Sequence, residues 1–263
     1  MKKYLVVGNP IEHSLSPLLH NFWIKENNIE AVYEKKKLNE EELKKYILDI
    51  KQKKISGMNV TVPFKKSVIP YLDQLTEESQ GTQSVNTIYL KNNKTVGHNT
   101  DIDGFKISIE KLKINIRNKE IFIIGAGGVV PSIIFALNKM NVSKILLTNR
   151  TKQKSQNLKN QFPNIDIIDW GVVPKSDVII NATSVGLEKN EKLDLDFSKC
   201  GNNNLFFDVI YNPKQTNFLK LGKELGNNIE NGKMMFIYQA ALAFKIWHGN
   251  DPLINDKVIK MLD

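Results

Sequence analysis

Alternation is the first regularity along the chain. In "SGMNVTVPFKK", residues 56–66, Met58, Val60 and Val62 recur at every second position, with Asn59 and Thr61 between them. A period of two predicts a strand with one buried face, and Asn59 and Thr61 share the other. Pro63 ends the ladder, because proline has no amide proton to donate. Lys65 follows two residues later. The apolar run Tyr4–Val7 predicts a first strand, a turn at Asn9-Pro10 and a helix from near Ser16-Pro17 past Trp23. A strand near Val32, a helix over Glu41–Lys53 and a helix after Pro63 extend the series. Strand–helix alternation of this kind argues for a mostly parallel sheet.

The pattern starts again at "KEIFIIGAGGVVPSIIFALNKMNVSKILLTNR". The apolar strand Ile121–Ile124 runs into glycines, then a helix, Ser132–Met140, then a second apolar strand, Ile145–Leu147. Further strands are expected at Ile165–Ile168, Asp177–Ile180 and Leu205–Val209, and a closing helix at Met234–Gly249. The expected architecture is α/β in two domains, residues 1–101 with 236–263, and residues 102–235 as a Rossmann-type doubly wound domain, with a cleft between them. The last helix should pack back on the first domain.

Composition narrows the function classes. Hydrophobic residues at 41% and charged residues at 25% describe an ordinary globular chain. The formal charge of +9 raises nucleic acid as a partner. Yet the lysines are scattered through Lys35–Lys37, Lys51–Lys54, Lys111–Lys113 and Lys152–Lys159, mixed with Glu, Asn and Ile. No basic stripe carries interleaved aromatics, so solvated lysine faces are the better reading. Cys200 is alone, which leaves no disulfide framework. His13, His20, His98 and His248 match no compact metal-ligand spacing, so no metal is expected. No run of 18 or more apolar residues suggests a membrane span, and Tyr4–Val7 is too short for a signal peptide. The expected compartment is the cytoplasm, and the expected partner is a small molecule.

In Gly125-Ala126-Gly127-Gly128 the missing side chains let backbone approach a pyrophosphate, and the helix beyond offers unpaired N–H groups. Any tight strand–helix turn can use glycine. The flanking strands are what favour dinucleotide binding. An NAD site usually places Asp or Glu about 20 residues on, for the ribose hydroxyl. Here that place holds Thr148-Asn149-Arg150-Thr151, then Lys152 and Lys154, and no acidic residue lies between Ile121 and Ile165. Arginine forks onto a phosphate, so the expected cofactor is NADP(H). The alternative is a helix start capped by Thr with surface lysines. Val130-Pro131 follows the glycines, and valine there should hold helix and strand slightly apart.

Toward the N-terminus, "HSLSP" sets Ser14 and Ser16 two apart, facing one way if the segment is extended. Capping before Pro17 would account for Ser16 and leave Ser14 unexplained. "SVNT" adds Asn86 and "GHNTDIDGF" adds Asn99, Thr100, Asp101 and Asp103, a cluster that Gly97 could equally make into a turn. Neutral donors and acceptors in this number suit a polyhydroxylated ligand, with Lys65 as the charged member and Asp101 as its partner. Tyr211 reads as core packing or as a hydroxyl near a loop. Gln239 lies in an apolar helix, where a buried amide needs a partner.

"GNPIEHSLSP", "GMNVTVPFK", "SVNT", "NTDIDG", "GAGG", "TNRT", "NATSVG", "DVIYNP" and "NG…YQAALAFKIW" stand in the order of the motifs of the shikimate dehydrogenase family, which the chain resembles from about residue 7 to 247. The resemblance implies reduction of 3-dehydroshikimate to shikimate, with Ser14, Ser16, Thr61, Asn86, Asp101 and Gln239 holding the ring and Asn59 and Tyr211 close by. It makes Lys65 the acid/base, assisted by Asp101, since a neighbouring carboxylate favours an ammonium. The cofactor would lie on Gly125, Ala126, Gly127, Gly128, Val129, Asn149, Arg150, Thr151, Lys152, Gln153, Lys154, Thr183, Val209 and Gly232, with Glu77 near the nicotinamide. Gln83-Ser84 and Val130-Pro131 depart from the family's small residues. A quinate/shikimate dehydrogenase using NAD or NADP, and a non-catalytic dinucleotide- or sugar-acid-binding regulator, are the alternatives. Monomer and homodimer both stay open.

Overall fold

The structure, a computed structural model, describes residues 1–188 and 190–263. It divides into two compact units, Met1–Phe105 with Phe236–Asp263, and Lys106–Met235.

In the first unit the chain runs β1 (Lys2–Gly8), α1 (Ser16–Glu26), β2 (Ala31–Lys37), α2 (Leu43–Lys51), β3 (Gly57–Val60), β4 (Gln74–Leu75), α3 (Glu77–Thr82), β5 (Thr87–Lys91) and β6 (Lys94–His98). The six strands lie in the order β2-β1-β3-β5-β6-β4. β1 pairs in parallel with β2 and β3, but β5 is antiparallel to both β3 and β6. The other five strands run one way, as strand–helix alternation had predicted of a mostly parallel sheet, and β5 alone departs from it. The cause is a hairpin between β5 and β6 whose two turn residues, Asn92 and Asn93, take φ of 51° and 58°. Asparagine tolerates this left-handed conformation better than most residues, and its pair matches the twist of a tight hairpin.

Three expectations give way in this unit. The strand stops at Val60, and Val62 is 47% exposed rather than buried. No helix follows Pro63: Val62–Val68 forms turns and only Ile69–Tyr71 makes a 3-10 turn. The Lys65 carbonyl accepts the Val85 N–H at 2.8 Å, a partner outside any helix. Gly97 is no turn but lies inside β6, where a Cβ would stand 2.6 Å from Leu72 and 2.8 Å from Val85.

Both faces of this sheet are covered. Leu5, Val7, Met58 and Val60 share one core with Leu43, Ile47 and Ile50 of α2. On the other face Tyr33, Tyr4 and Gly57 are in register across three strands. Gly57 lacks a side chain because the Trp247 indole occupies that space, donating its N–H to the Ile88 carbonyl at 3.1 Å. Burying a large apolar side chain contributes about 1.5–3 kcal/mol, and Tyr33 and Trp23 are each 1% exposed. Asn59 therefore faces protein, not solvent.

The second unit holds β7 (Glu120–Ile124), α5 (Val130–Lys139), β8 (Lys144–Thr148), α6 (Lys152–Gln161), β9 (Ile165–Ile167), β10 (Val178–Asn181), β11 (Leu205–Asp208), α7 (Asn217–Glu224) and β12 (Asn228–Glu230). The unit boundaries fall within α4 (Asp101–Lys111), which precedes β7, and α8 (Lys233–His248), which follows β12; α9 (Asp256–Met261) closes the chain. All strands of the second sheet are parallel, in the order β12-β11-β10-β7-β8-β9. This is the doubly wound arrangement, and the winding reverses between β7 and β10, where such sheets take their ligands. The helix after the glycines begins at Val130, two residues earlier than Ser132, with Pro131 in its first turn. Val130 itself is fully buried.

Candidate active site

Lys65 leaves the turn after β3 with its backbone fixed on both sides, since Phe64 is 3% exposed and Val68 fully buried. Its ammonium lies 2.5 Å from Asp101 Oδ2, with the two side chains 12% and 9% exposed. Asp101 opens α4, where the helix N-terminus favours a negative group, and its N–H donates to Asn99 Oδ1 at 3.1 Å. The second carboxylate oxygen accepts from Asn86 Nδ2 at 2.8 Å. Asn86 is held in turn, its Oδ1 accepting the Thr100 N–H at 2.8 Å and the Thr87 hydroxyl at 2.9 Å. Both oxygens of the carboxylate thus have donors, so the pair is fixed by geometry as well as by charge.

The other expected ring-binding residues of the first unit divide into two groups. Gln239 joins the cluster, its Oε1 3.5 Å from Asn86 Nδ2 and its Nε2 donating to the Phe236 carbonyl at 2.9 Å. Asn59 is committed inside the protein: Oδ1 accepts from the Tyr33 hydroxyl at 2.6 Å, and Nδ2 donates to Asn86 O at 2.9 Å and Thr87 Oγ1 at 3.0 Å. Thr61 is half-buried, with its N–H on the Val7 carbonyl. Ser14 and Ser16 do not lie in extended chain, because Leu15 between them has φ −88° and ψ 0°. Ser16 is the first residue of α1, and its N–H reaches Ser14 Oγ at 3.4 Å. The helix has no side-chain cap, so capping accounts for neither serine.

In the second unit the glycine turn follows β7 directly. Gly125 has φ +115°, and a Cβ there would stand 2.8 Å from the Ala182 carbonyl oxygen. Gly127 and Gly128 are exposed, and a Cβ on Gly127 would meet only that same oxygen, at 3.7 Å. Bare backbone at a helix N-terminus of ten residues is a surface that fits a pyrophosphate. Ala126 and Val129 are half-buried beside it. Arg150, Thr151, Lys152, Gln153 and Lys154 are all exposed at the end of β8 and the start of α6, and Asn149 Nδ2 donates to the Thr151 carbonyl at 2.9 Å. Thr151 occupies the cap position of α6 without a side-chain cap bond, so the capping alternative loses its reason. A solvent-facing arginine and lysines, with no carboxylate along this stretch, fit a ribose phosphate.

Val209 and Gly232 touch through backbone, since a Cβ on Gly232 would overlap the Val209 carbonyl. Thr183 spends its hydroxyl on Asn181 Oδ1 at 2.7 Å. The Asn181 amide is turned that way by Asp208, to which its Nδ2 donates at 3.1 Å. Asp208 is fully buried, and burial pushes its carboxyl up to about 6 against hydrogen bonds from Thr216, Ile210 and Asn181. Tyr211 is half-buried in this unit, its phenol pushed up to about 12 by burial. Glu77 belongs to the first unit, exposed in the first turn of α3 behind its Thr76 cap.

Sequence reasoning passed over Tyr33, Thr87, Asn181 and Asp208. Thr87 in "SVNT", Asn181 in "NATSVG" and Asp208 in "DVIYNP" sat in motifs that were read, but only for their neighbours. Tyr33 had no local signal, because its partner is 26 residues away.

A family model described as shikimate dehydrogenase substrate binding domain matches residues 6–88, and one described as shikimate / quinate 5-dehydrogenase matches residues 107–217. A shikimate dehydrogenase (NADP(+)) of Pelagibacter ubique (strain HTCC1062) is 53% identical over 262 residues, covering 100% of this chain and 99% of that relative. The chain belongs to the shikimate dehydrogenase family. Solved members of the shikimate dehydrogenase family share its two-domain α/β fold. The enzyme from Aquifex aeolicus is 36% identical with a TM-score of 0.89, over 100% of this chain and 97% of that one. The shikimate 5-dehydrogenase of Thermus thermophilus, in complex with NADP(H) and shikimate, is 28% identical with a TM-score of 0.90, over 100% and 98%. Among the described residues no helix is long and apolar enough to cross a membrane.

Proposed function

We propose that this protein reversibly reduces 3-dehydroshikimate to shikimate with NADPH, in the biosynthesis of chorismate and the aromatic amino acids. The observation that carries the reading is the Lys65–Asp101 pair, a proton donor held by a carboxylate in a chain of this family. NADP(H), when bound, supplies or takes up the hydride.

Lys65 gives its proton to the oxygen at C3 as the ketone becomes an alcohol, and takes one back in the reverse direction. Positioned proton transfer of this kind contributes about 10²–10⁴-fold in rate. Asp101 aims the ammonium, while Asn86 fixes the Asp101 side chain. Ser14, Ser16, Thr61, Asn86 and Gln239 hold the ring by its hydroxyls and carboxylate, with Tyr211 completing the set. Asn59 acts from behind them, because its amide is spent on Asn86, Thr87 and Tyr33. The glycine turn with Val129 holds the pyrophosphate, and Asn149–Lys154 hold the ribose phosphate. Thr183, Val209, Gly232 and Glu77 border the nicotinamide half. The protein works in the cytoplasm as a monomer or homodimer, on small molecules and without nucleic acid or membrane.

Absorbance in the NADPH band, followed with purified protein given 3-dehydroshikimate, shikimate plus NADP+, and quinate plus NADP+ in turn, tests this. Fast turnover with the first two and little with quinate is expected. No turnover with either of the first two ends the proposal.

A further inference from the structure

Tyr33 is held more firmly than its place on an edge strand requires. β2 is the edge strand of its sheet among the described residues, so the backbone of Tyr33 would face outward unpaired. The Asn21 carboxamide takes that neighbour's place, accepting the Tyr33 N–H at 2.9 Å and donating to its carbonyl at 2.8 Å. The ring, 1% exposed, stacks on His20 with centroids 4.2 Å apart and planes 2° from parallel. Among the described residues neither ring nitrogen of His20 has a hydrogen-bond partner, so the imidazole acts as a flat support and not as a hydrogen-bonding group.

The phenol then does what no packing residue needs to do. Its one proton goes to Asn59 Oδ1 at 2.6 Å. An amide oxygen only accepts, so the proton direction is set, and the phenol oxygen is left to accept. Asn59 passes the constraint on, both of its N–H bonds being spent on Asn86 O and Thr87 Oγ1. The Asn86 side chain holds Asp101, and Asp101 holds Lys65. A line of hydrogen bonds therefore joins the Tyr33 hydroxyl on β2, through Asn59, Thr87, Asn86 and Asp101, to the Lys65 ammonium.

We propose that the Tyr33 hydroxyl is a positioning group, which sets the Asn59 and Asn86 amides in one arrangement for capture of the ring substrate. This rests on the proposed function above. Tyr33 touches neither the reacting carbon nor the cofactor turn, so its removal should weaken substrate capture and leave cofactor binding alone. Tyr33→Phe keeps the ring and its stack on His20 while deleting the joint.

Steady-state kinetics of wild type and Tyr33→Phe, with shikimate and NADP+ varied separately, test the idea alongside thermal melts. The expected result is a roughly ten-fold rise in KM for shikimate, the scale of one lost buried hydrogen bond, with KM for NADP+ and kcat changed by no more than about three-fold. The melting temperature should fall by no more than a few degrees. An unchanged KM for shikimate overturns the proposal and reduces Tyr33 to packing. Equal rises in both KM values, or a melt lowered far enough to show general loosening, overturn it as well. An inactive wild type overturns the functional reading itself, a failure visible before the variant is measured.

Discussion

Lys65 and Asp101, 36 positions apart in the chain, meet at 2.5 Å in side chains that are 12% and 9% exposed. A surface pair of this kind would be worth little, but here water is largely excluded and both carboxylate oxygens carry donors. Removing the amine leaves a buried carboxylate short of its partner and the C3 oxygen short of its proton. Lys65→Ala should lower kcat by about 10²-fold or more while KM for shikimate moves only a few-fold. Near-wild-type kcat would remove Lys65 from the chemistry.

Arg150 is exposed beside Lys152 and Lys154, with no acidic residue nearby in sequence to call for a ribose hydroxyl. Arg150→Ala should raise KM for NADPH by about ten-fold or more and leave KM for NADH nearly unchanged, since only the former carries the extra phosphate. Equal effects on the two would place the arginine elsewhere.

Gly125 has no tolerable substitute. Its φ of +115° is hostile to any L side chain, and a Cβ would press on the backbone of Ala182, which cannot swing aside. Gly125→Ala should destabilise the protein by about 1–3 kcal/mol and weaken NADP+ binding, as titration calorimetry and melting would record. Wild-type values in both would show that the turn relaxes.

His20 makes a pH prediction. Burial, and to a lesser degree the charge of His248, pulls its imidazole down to about 3 from 6.5. Above pH about 6.5 the ring is neutral folded or unfolded and contributes no slope. Below that, the unfolded chain takes a proton that the folded protein refuses, so stability falls as pH drops toward about 3, at about 1.4 kcal/mol per pH unit. His20→Phe, which keeps an aromatic support under Tyr33, should flatten this part of the acid limb in denaturant titrations at pH 7, 6 and 5. Parallel curves for the two proteins would mean that His20 finds a proton partner in the folded state.

Much of the molecule was legible in one dimension. An apolar run marked β1, a period-two run marked β3, and the glycines between apolar runs marked the β7–α5 turn, because burial of a short strand or turn is decided within a few residues. The hairpin of β5 and β6 was also written there, in "TIYLKNNKTVGH", but its asparagine pair was not weighed as a turn. α6 entered only as the alternative of a helix start at Thr151, for a physical reason: in "KQKSQNLKNQ" only Ser155 and Leu158 are buried, so no apolar stripe announces a helix.

By itself the sequence determined which residue types were on offer: an amine, a carboxylate, amides and hydroxyls in one half, bare glycine backbone and unopposed cations in the other. Only the tertiary structure decided which of them meet. Asn59 turned inward to Tyr33, Asn86 and Thr87 rather than out to a ligand, and Lys65 came from a turn rather than a helix. Periodicity records whether a position is buried; a hydrogen bond needs a partner, and these partners arrive from strands 26 to 28 residues away.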